Sequence, residues 1–313
     1  MNENSEVRDF VGLDVYNLMF RAFHGNKMNL SHNGVPTNAV YTVSKMVQRI
    51  LGQFDNLYYA VAAFDGGKSN FRHELVDNYK EGRASMPDEL RQQIPYIEEL
   101  LLIMGFNNYR PETFEADDAL GCLGNRAAKK GVNTVLFSGD KDFLQLVQDN
   151  LIVVNPSSAG DLVLNREGVF KKLGVYPEVV AAYLALTGDG VDNIEGVSKW
   201  GKGTAAKYLN QYGDLPSLIA NAKDITGVAG ENLRNAIADG KLDLYLKLTT
   251  IPLDLDLQLT NKELFYKGLD VKEWNKFCQK LNFKSLFLEE GYGKPSALDL
   301  ISKKKNNTIR HKM

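Results

Sequence analysis

The chain has 313 residues, 44% of them hydrophobic and 24% charged, with a formal net charge of -2. That is a globular composition, long enough for one large domain or two smaller ones. No apolar run approaches the ~18 residues that a membrane span needs, and the opening MNENSEVRD is polar, with no signal core. No membrane partner and a cytoplasmic location are therefore expected.

Residues 9–14, DFVGLD, read as a buried strand closing on Asp14. Tyr16, Leu18, Phe20 and Phe23 then start a helix or turn. HNGVPTNAV carries turn chemistry, and Thr37 or Asn38 can cap a helix running to about Gln53. Its apolar residues Val40, Val43, Met46, Val47, Ile50 and Leu51 have helical spacing. LYYAVAAF, at 57–64, is a near-continuous apolar run ending on Asp65, as suits a parallel strand covered on both faces. The stretch 66–105 begins basic and polar and ends as an amphipathic helix, and 107–110 is a short strand. A helix over 115–130, ended by Gly131, leads to a third buried strand over 132–140 and a fourth over 151–156. Strands alternating with helices imply a parallel α/β sheet.

Past residue 165 the chain reads as short helices: 166–173, 177–187, 203–211, 215–221, 230–237 and 241–248. The boundary is placed within 165–188, giving units of 1–187 and 188–290, with a basic, polar tail over 291–313 expected to be disordered. Cys122 and Cys278 form no disulfide framework and no metal-binding spacing, and are read as buried small hydrophobes.

The acids carry the chemistry. Asp14, Asp65 and Asp140 each close an apolar strand, and open parallel sheets bind ligands beyond the carboxyl ends of their strands. Glu115 and Asp118 share one face of a helix start, with Asp117 beside them. Asp142 follows Asp140, and Asp189 and Asp192 lie in the loop GDGVDN. Taken singly, each has an ordinary explanation: acids suit a helix N-terminus, and Asp forms turns. Together they would repel, at about 1 kcal/mol for a pair ~4 Å apart even in water. Cations among them resolve the conflict. Hard oxygen ligands without His or Cys point to magnesium, or manganese in its place. The set is too large for one octahedral ion, and two ions about 4 Å apart serve phosphoryl transfer. Setting these nine aside leaves 30 of the 39 acids against 37 Lys and Arg, a mildly basic remainder that permits a polyanionic substrate.

GLDVYNLMFRAFH, FDGGKSNFRHEL, NYKEGRASMPDEL, FEADDALG, SGDKDFLQLV and GDGVDNIEGV resemble, in order and spacing, the motifs of the 5′→3′ exonucleases or flap endonucleases. The resemblance covers about 10–290, and with no polymerase segment following it is of the stand-alone type. It implies a PIN-like nuclease domain (1–187) with a helical arch over about 68–105, mobile without DNA, and a helix–hairpin–helix DNA-binding domain over 188–290. It assigns Asp14, Asp65, Glu115, Asp117 and Asp118 to a first metal site, and Asp140, Asp142, Asp189 and Asp192 to a second. Some stand-alone relatives lack part of the second set, which this chain keeps whole. It implies a monomer acting on 5′-flap, branched, nicked or gapped DNA and RNA–DNA primer junctions, in replication or repair, with potassium at the hairpin.

Tyr79, Lys80 and Arg83 lie in NYKEGR, with Arg72 seven residues before Tyr79. Lys and Arg can neutralise a scissile phosphate while Tyr offers a face to a base; the bland alternative is a solvated helix face. The resemblance places Lys80 and Arg83 on the reacting phosphate. GVSKWGKGT nearly fits a phosphate loop, but Gly203 stands at the Ser/Thr position and no buried strand precedes it, so an ATP site is rejected. A hairpin presenting Gly196, Val197, Lys199, Gly201, Lys202, Gly203 and Thr204 to a duplex backbone fits better. It departs from the family form at Glu195, Lys199, Trp200 and Gly203. Three alternatives are weaker. A haloacid-dehalogenase-like phosphatase needs a second Asp where Tyr16 stands, a non-catalytic branched-DNA binder has no use for the full acidic set, and a PIN-like ribonuclease does not account for the hairpin domain.

Overall fold

The structure, a computed structural model, describes residues 8–25, 28–66, 71–157, 160–289, 292, 296 and 297. All but three residues of the tail expected to be disordered, and the first residues of the expected arch, lie outside that set.

Strand β1 (Asp9–Asp14) leads into helix α1 (Val15–Gly25). A small hairpin of β2 (Ser31–His32) and β3 (Val35–Pro36) precedes α2 (Asn38–Leu51), which runs into β4 (Leu57–Ala63). Then come α3 (Phe71–Leu75), α4 (Asp88–Arg91), α5 (Ile94–Ile103), β5 (Asn107–Tyr109) and α6 (Ala116–Lys129). Strand β6 (Asn133–Phe137) is followed by a 3-10 turn (Asp142–Leu146), then β7 (Leu151–Asn155) and β8 (Leu162–Leu164).

The six strands lie in the order β5-β4-β1-β6-β7-β8. All neighbours are parallel except β7 and β8. The inner strands β1, β4, β6 and β7 are largely buried and read as mainly apolar runs, while the edge strands β5 and β8 are more exposed. The first strand is central. Asp14 stands in register with Ala63 of β4, and Leu13 with Phe137 of β6, so the ends of the three strands meet at one edge. On one face α6 packs with Leu120 and Leu123; on the other lie α1, α2 and α5.

The C-terminal part contains α7 (Arg166–Leu173), α8 (Val180–Thr187), α9 (Lys202–Tyr212), α10 (Leu215–Ala220), α11 (Gly227–Ala238), α12 (Lys241–Thr249) and α13 (Val271–Lys280). The helices up to α12 match the expected positions within a turn. After α12 the chain returns to the sheet: Tyr266 N–H donates to Tyr58 O at 2.9 Å and Lys267 N–H to Gly105 O at 2.9 Å. Helix α13, absent from the sequence reading, buries Trp274, Phe277 and Cys278 in the core that holds α5. The segment 94–103, assigned to the arch, is this α5; Ile97, Leu100 and Leu101 are too apolar to stand free and sit in that core. Within the polar part before it, Arg72, Tyr79 and Lys80 reach Glu115 at the start of α6, while α4 packs against α1 and β3 with Leu90 in the core.

Candidate metal centre

Each strand-end acid is held by neighbours on its own edge. The Asn17 N–H donates to Asp14 Oδ1 at 3.2 Å and the Ser138 hydroxyl to Oδ2 at 2.6 Å. Asp65 Oδ1 accepts the Ala116 N–H at 3.1 Å, which ties the end of β4 to the start of α6. Asp140 Oδ1 accepts the Asp142 N–H at 2.9 Å, so these two acids share one turn.

At the α6 start, Glu115, Asp117 and Asp118 bring ligand oxygens within 4.8 Å of one another. Glu115 occupies the N-cap position without capping; its carboxylate turns to cations instead. Arg72 Nη1 donates to Oε2 at 2.8 Å, the Tyr79 hydroxyl to the same atom at 3.3 Å, and Lys80 Nζ to Oε1. Asp118 is fully buried and receives both terminal nitrogens of Arg72, at 2.6 and 2.7 Å.

Asp189 and Asp192 come from the loop after α8. Asp189 pairs with Lys141 at 3.1 Å, and the Asp192 carbonyl accepts the Lys80 N–H at 3.1 Å. Asn193 Nδ2 donates to Asn78 O at 2.9 Å. The NYKEGR turn is thereby docked on the GDGVDN loop, with Lys80 and Asn193 both in left-handed backbone at φ 58°.

The electrostatics join the groups into one field. Burial pushes the Asp14 carboxyl up to about 7, with Asp140 and Asp65 adding repulsion. Burial also raises Asp142, with Asp140, Asp192 and Asp189 reinforcing it, and raises Asp117, with Asp118 and Glu115. Asp192 is raised by burial too, and Asp189 and Asp140 add to it. Lys80 faces Glu115, Asp117 and Asp192 together, so it stands between the two acidic groups. Asp142 Oδ1 is buried without a hydrogen-bond partner. A buried acceptor of this kind costs about 1–3 kcal/mol, more for a charge. An all-oxygen set, mutually repelling, with an orphaned carboxylate oxygen, fits hard divalent cations.

The arch residues divide. Arg83 is exposed and lies within the field of Asp192. Arg72, expected near the phosphate, is 3% exposed and is spent on Asp118, Glu115 and the carbonyls of Leu248 and Thr250, at 2.8 and 3.2 Å. Burial would lower its pKa, but Asp118 holds it above the ordinary guanidinium value. Tyr79, expected to offer a stacking face, is buried with its ring edge-on to His73. The helix that holds Arg72 ends at Leu75, and Lys80 lies in the turn that follows, so the two do not share a helix face.

The hairpin follows α8 and precedes α9, with no strand before it, as the rejection of a phosphate loop requires. Gly196, at φ 70°, lies so close to Gly188 that a Cβ would come 2.3 Å from its backbone nitrogen. Val197 is buried and anchors the hairpin through its N–H to Leu186 O, so its side chain is not part of an outer surface. Lys199, Gly201, Lys202 and Gly203 are exposed, and Thr204 is half-buried. Trp200 is buried, its Nε1 donating to Ala229 O at 2.8 Å. Gly201 caps α9 without a side-chain bond, leaving backbone N–H groups at the exposed helix start.

Three supporting residues were not anticipated: Asn17, Ser138 and Gln145. Ser138 was open to inference, as a hydroxyl at the strand end before Gly139–Asp140. Gln145 gives no local signal.

Residues 9–174 match the family "5'-3' exonuclease, N-terminal resolvase-like domain", and residues 175–272 match "5'-3' exonuclease, C-terminal SAM fold". The chain is 33% identical over 280 residues to a 5'-3' exonuclease of Aquifex aeolicus, covering 88% of this chain and 93% of that protein. It is 33% identical over 297 residues to DNA polymerase I of Bacillus subtilis, covering 94% of this chain but only 33% of the polymerase. Among solved structures, the bacteriophage T5 flap endonuclease in a pseudo-enzyme-product complex with DNA and metal ions has the same fold. Its TM-score is 0.64 at 23% identity, covering 78% of this chain and 90% of that one. No helix among the described residues is long and apolar enough to cross a membrane.

Proposed function

The chain belongs to the 5'-3' exonuclease family, and from that premise we propose that it is a magnesium-dependent nuclease cutting DNA at 5′ flaps and from 5′ ends. The reading is supported by the mutual repulsion of carboxylates, Asp14 with Asp140 and Asp65, Asp142 with Asp140, Asp189 and Asp192, and Asp117 with Asp118 and Glu115, together with the Asp142 oxygen that lacks a partner. Glu115, Asp117 and Asp118, with Asp14 and Asp65, would hold one ion; Asp140, Asp142, Asp189 and Asp192 would hold the other. Bound divalent ions supply Lewis-acid stabilisation of the attacking and leaving oxygens, the chemistry that gives 5′-phosphate and 3′-hydroxyl ends.

The chain's own residues do the rest. Lys80 and Arg83 enter from above with positive charge for the phosphate. Lys80 now neutralises Glu115, so it has an alternative partner in the free protein and turns to the phosphate when DNA arrives. The hairpin's N–H groups, with Lys199 and Lys202, grip the duplex backbone without reading sequence. A role in primer removal or repair, on nicked, gapped or RNA-primed DNA, is proposed from the family resemblance. A potassium ion at the hairpin is proposed from the family resemblance alone.

The test is cleavage of a 5′-flap duplex in magnesium by the wild-type protein and Asp140→Asn. Loss of cleavage with flap-DNA binding retained in calcium supports the reading. Normal turnover by Asp140→Asn refutes it.

A further inference from the structure

The four residues at the end of α12 make an unusual set of contacts. Leu248 O and Thr250 O accept from Arg72, the residue that grips Asp118 and Glu115. Between them, Thr249 O accepts from Gln145 Nε2 at 3.0 Å, and the Ile251 N–H donates to Gln145 Oε1 at 3.0 Å. Gln145 also donates to Asp142 O at 2.9 Å, and so is fixed to the turn that carries the other acidic group. Both groups of carboxylates are therefore referenced to one short backbone segment.

Packing closes the same triangle. At Gly121 of α6, a Cβ would come within 2.8 Å of Ile251 and 2.9 Å of Leu146. Helix α6, the turn after β6 and the end of α12 thus meet with no room for a methyl group between them. Thr249 itself is buried, its hydroxyl 3.0 Å from both Ala181 O of α8 and Tyr245 O of its own helix, which seats the segment against α8.

We propose that Leu248–Ile251 is a brace that sets the separation between the two acidic groups, and that Arg72 and Gln145 are positioning residues acting through it. The proposal rests on the two-ion reading above. It gives Arg72 a role distinct from phosphate contact, and Gln145 a role where none was assigned. Since α12 packs against α8 and α11, and Trp200 of the hairpin bonds to Ala229 of α11, the brace also links the duplex-gripping helices to the metal centre. A group that must hold two ions about 4 Å apart tolerates little error, so loosening the brace should cost rate and metal affinity before it costs DNA binding.

Gln145→Met keeps the side-chain length and loses all three hydrogen bonds. Arg72→Lys keeps the charge beside Asp118 and loses the paired contact and the reach to both carbonyls. Each is measured for single-turnover flap cleavage against magnesium concentration, calorimetric manganese binding without DNA, and flap-DNA affinity in calcium. The expected result is at least a tenfold fall in rate and at least a fivefold weakening of manganese binding in either variant, with DNA affinity within twofold of wild type. Rates and manganese affinities within twofold of wild type in both variants overturn the brace. A loss of DNA affinity as large as the loss of rate also overturns it, by reducing these residues to general support of the fold. Wild-type protein run alongside separates the claims: without magnesium-dependent cleavage there, the functional reading itself fails.

Discussion

Replacing Asp14 with Asn should stabilise the metal-free protein and remove its activity. Burial raises the Asp14 carboxyl from 3.8 to about 7. A group raised in the folded state contributes stability that is fully present below the unfolded value of 3.8 and is lost as pH rises through about 7. That difference of about three units, at about 1.36 kcal/mol each, is a penalty of roughly 4 kcal/mol at pH 8. Asn carries no charge and escapes it. That figure already includes the bonds from Ser138 and Asn17 to the charged oxygens; Asn, with one acceptor oxygen in place of two, leaves one of those donors without its partner, at a cost of about 1–3 kcal/mol. The net gain at pH 8 is about 2 kcal/mol, and at roughly 2 °C per kcal/mol for a chain of this size, Tm rises by about 4 °C. At pH 5 the penalty has mostly gone, and the variant should melt with the wild type or slightly below it. The assay is calorimetric melting in EDTA at both pH values. Magnesium at pH 8 should reverse the order, because only the wild type keeps the full ligand set. A variant melting below wild type at pH 8 in EDTA would show that Asp14 is an ordinary hydrogen-bonded carboxylate, and the argument that burial penalises its charge would fall.

Lys80→Ala should slow single-turnover cleavage at saturating enzyme by tenfold or more, about 1.4 kcal/mol, and an unchanged rate would limit Lys80 to a structural partner of Glu115. Lys199→Ala combined with Lys202→Ala should weaken flap-DNA binding equally across sequences. The slope of log affinity against log salt should shrink by about two, and cleavage at saturating enzyme should hold. A slope equal to wild type would mean that the hairpin does not grip the backbone through these lysines.

The parts of the site legible in the sequence were those written in local pattern. Asp14, Asp65 and Asp140 each end an apolar run, and a buried parallel strand must deliver its next polar residue to the sheet edge. Glu115, Asp117 and Asp118 were placed by helix periodicity. What stayed hidden depends on long-range partners. Arg72 looked like its neighbours in a basic stretch, and its partners, Asp118 46 residues away and the Leu248 carbonyl 176 residues away, show that it faces inward. The burial of Tyr79 was hidden for the same reason, since its ring joins the hydrophobic core and its hydroxyl meets Glu115, 36 residues away. That α5 belongs to the core was hidden because an amphipathic segment next to a polar one carries no mark of where the core begins. Helix α13 did carry a signal, with Trp274, Phe277 and Cys278 at helical spacing, but its packing on α5 joins distant parts of the chain.

The central claim, that carboxylate-held divalent ions cut DNA here, is met most directly by one measurement. Protein stripped of metal is mixed with a 5′-labelled flap duplex, magnesium is added, and product lengths and end groups are resolved. The account predicts no products before magnesium. After it, cuts should fall at or next to the flap junction, with a 3′-hydroxyl on the released fragment and a 5′-phosphate on the remaining duplex. Tight binding of the flap with no cleavage in magnesium or manganese would contradict it.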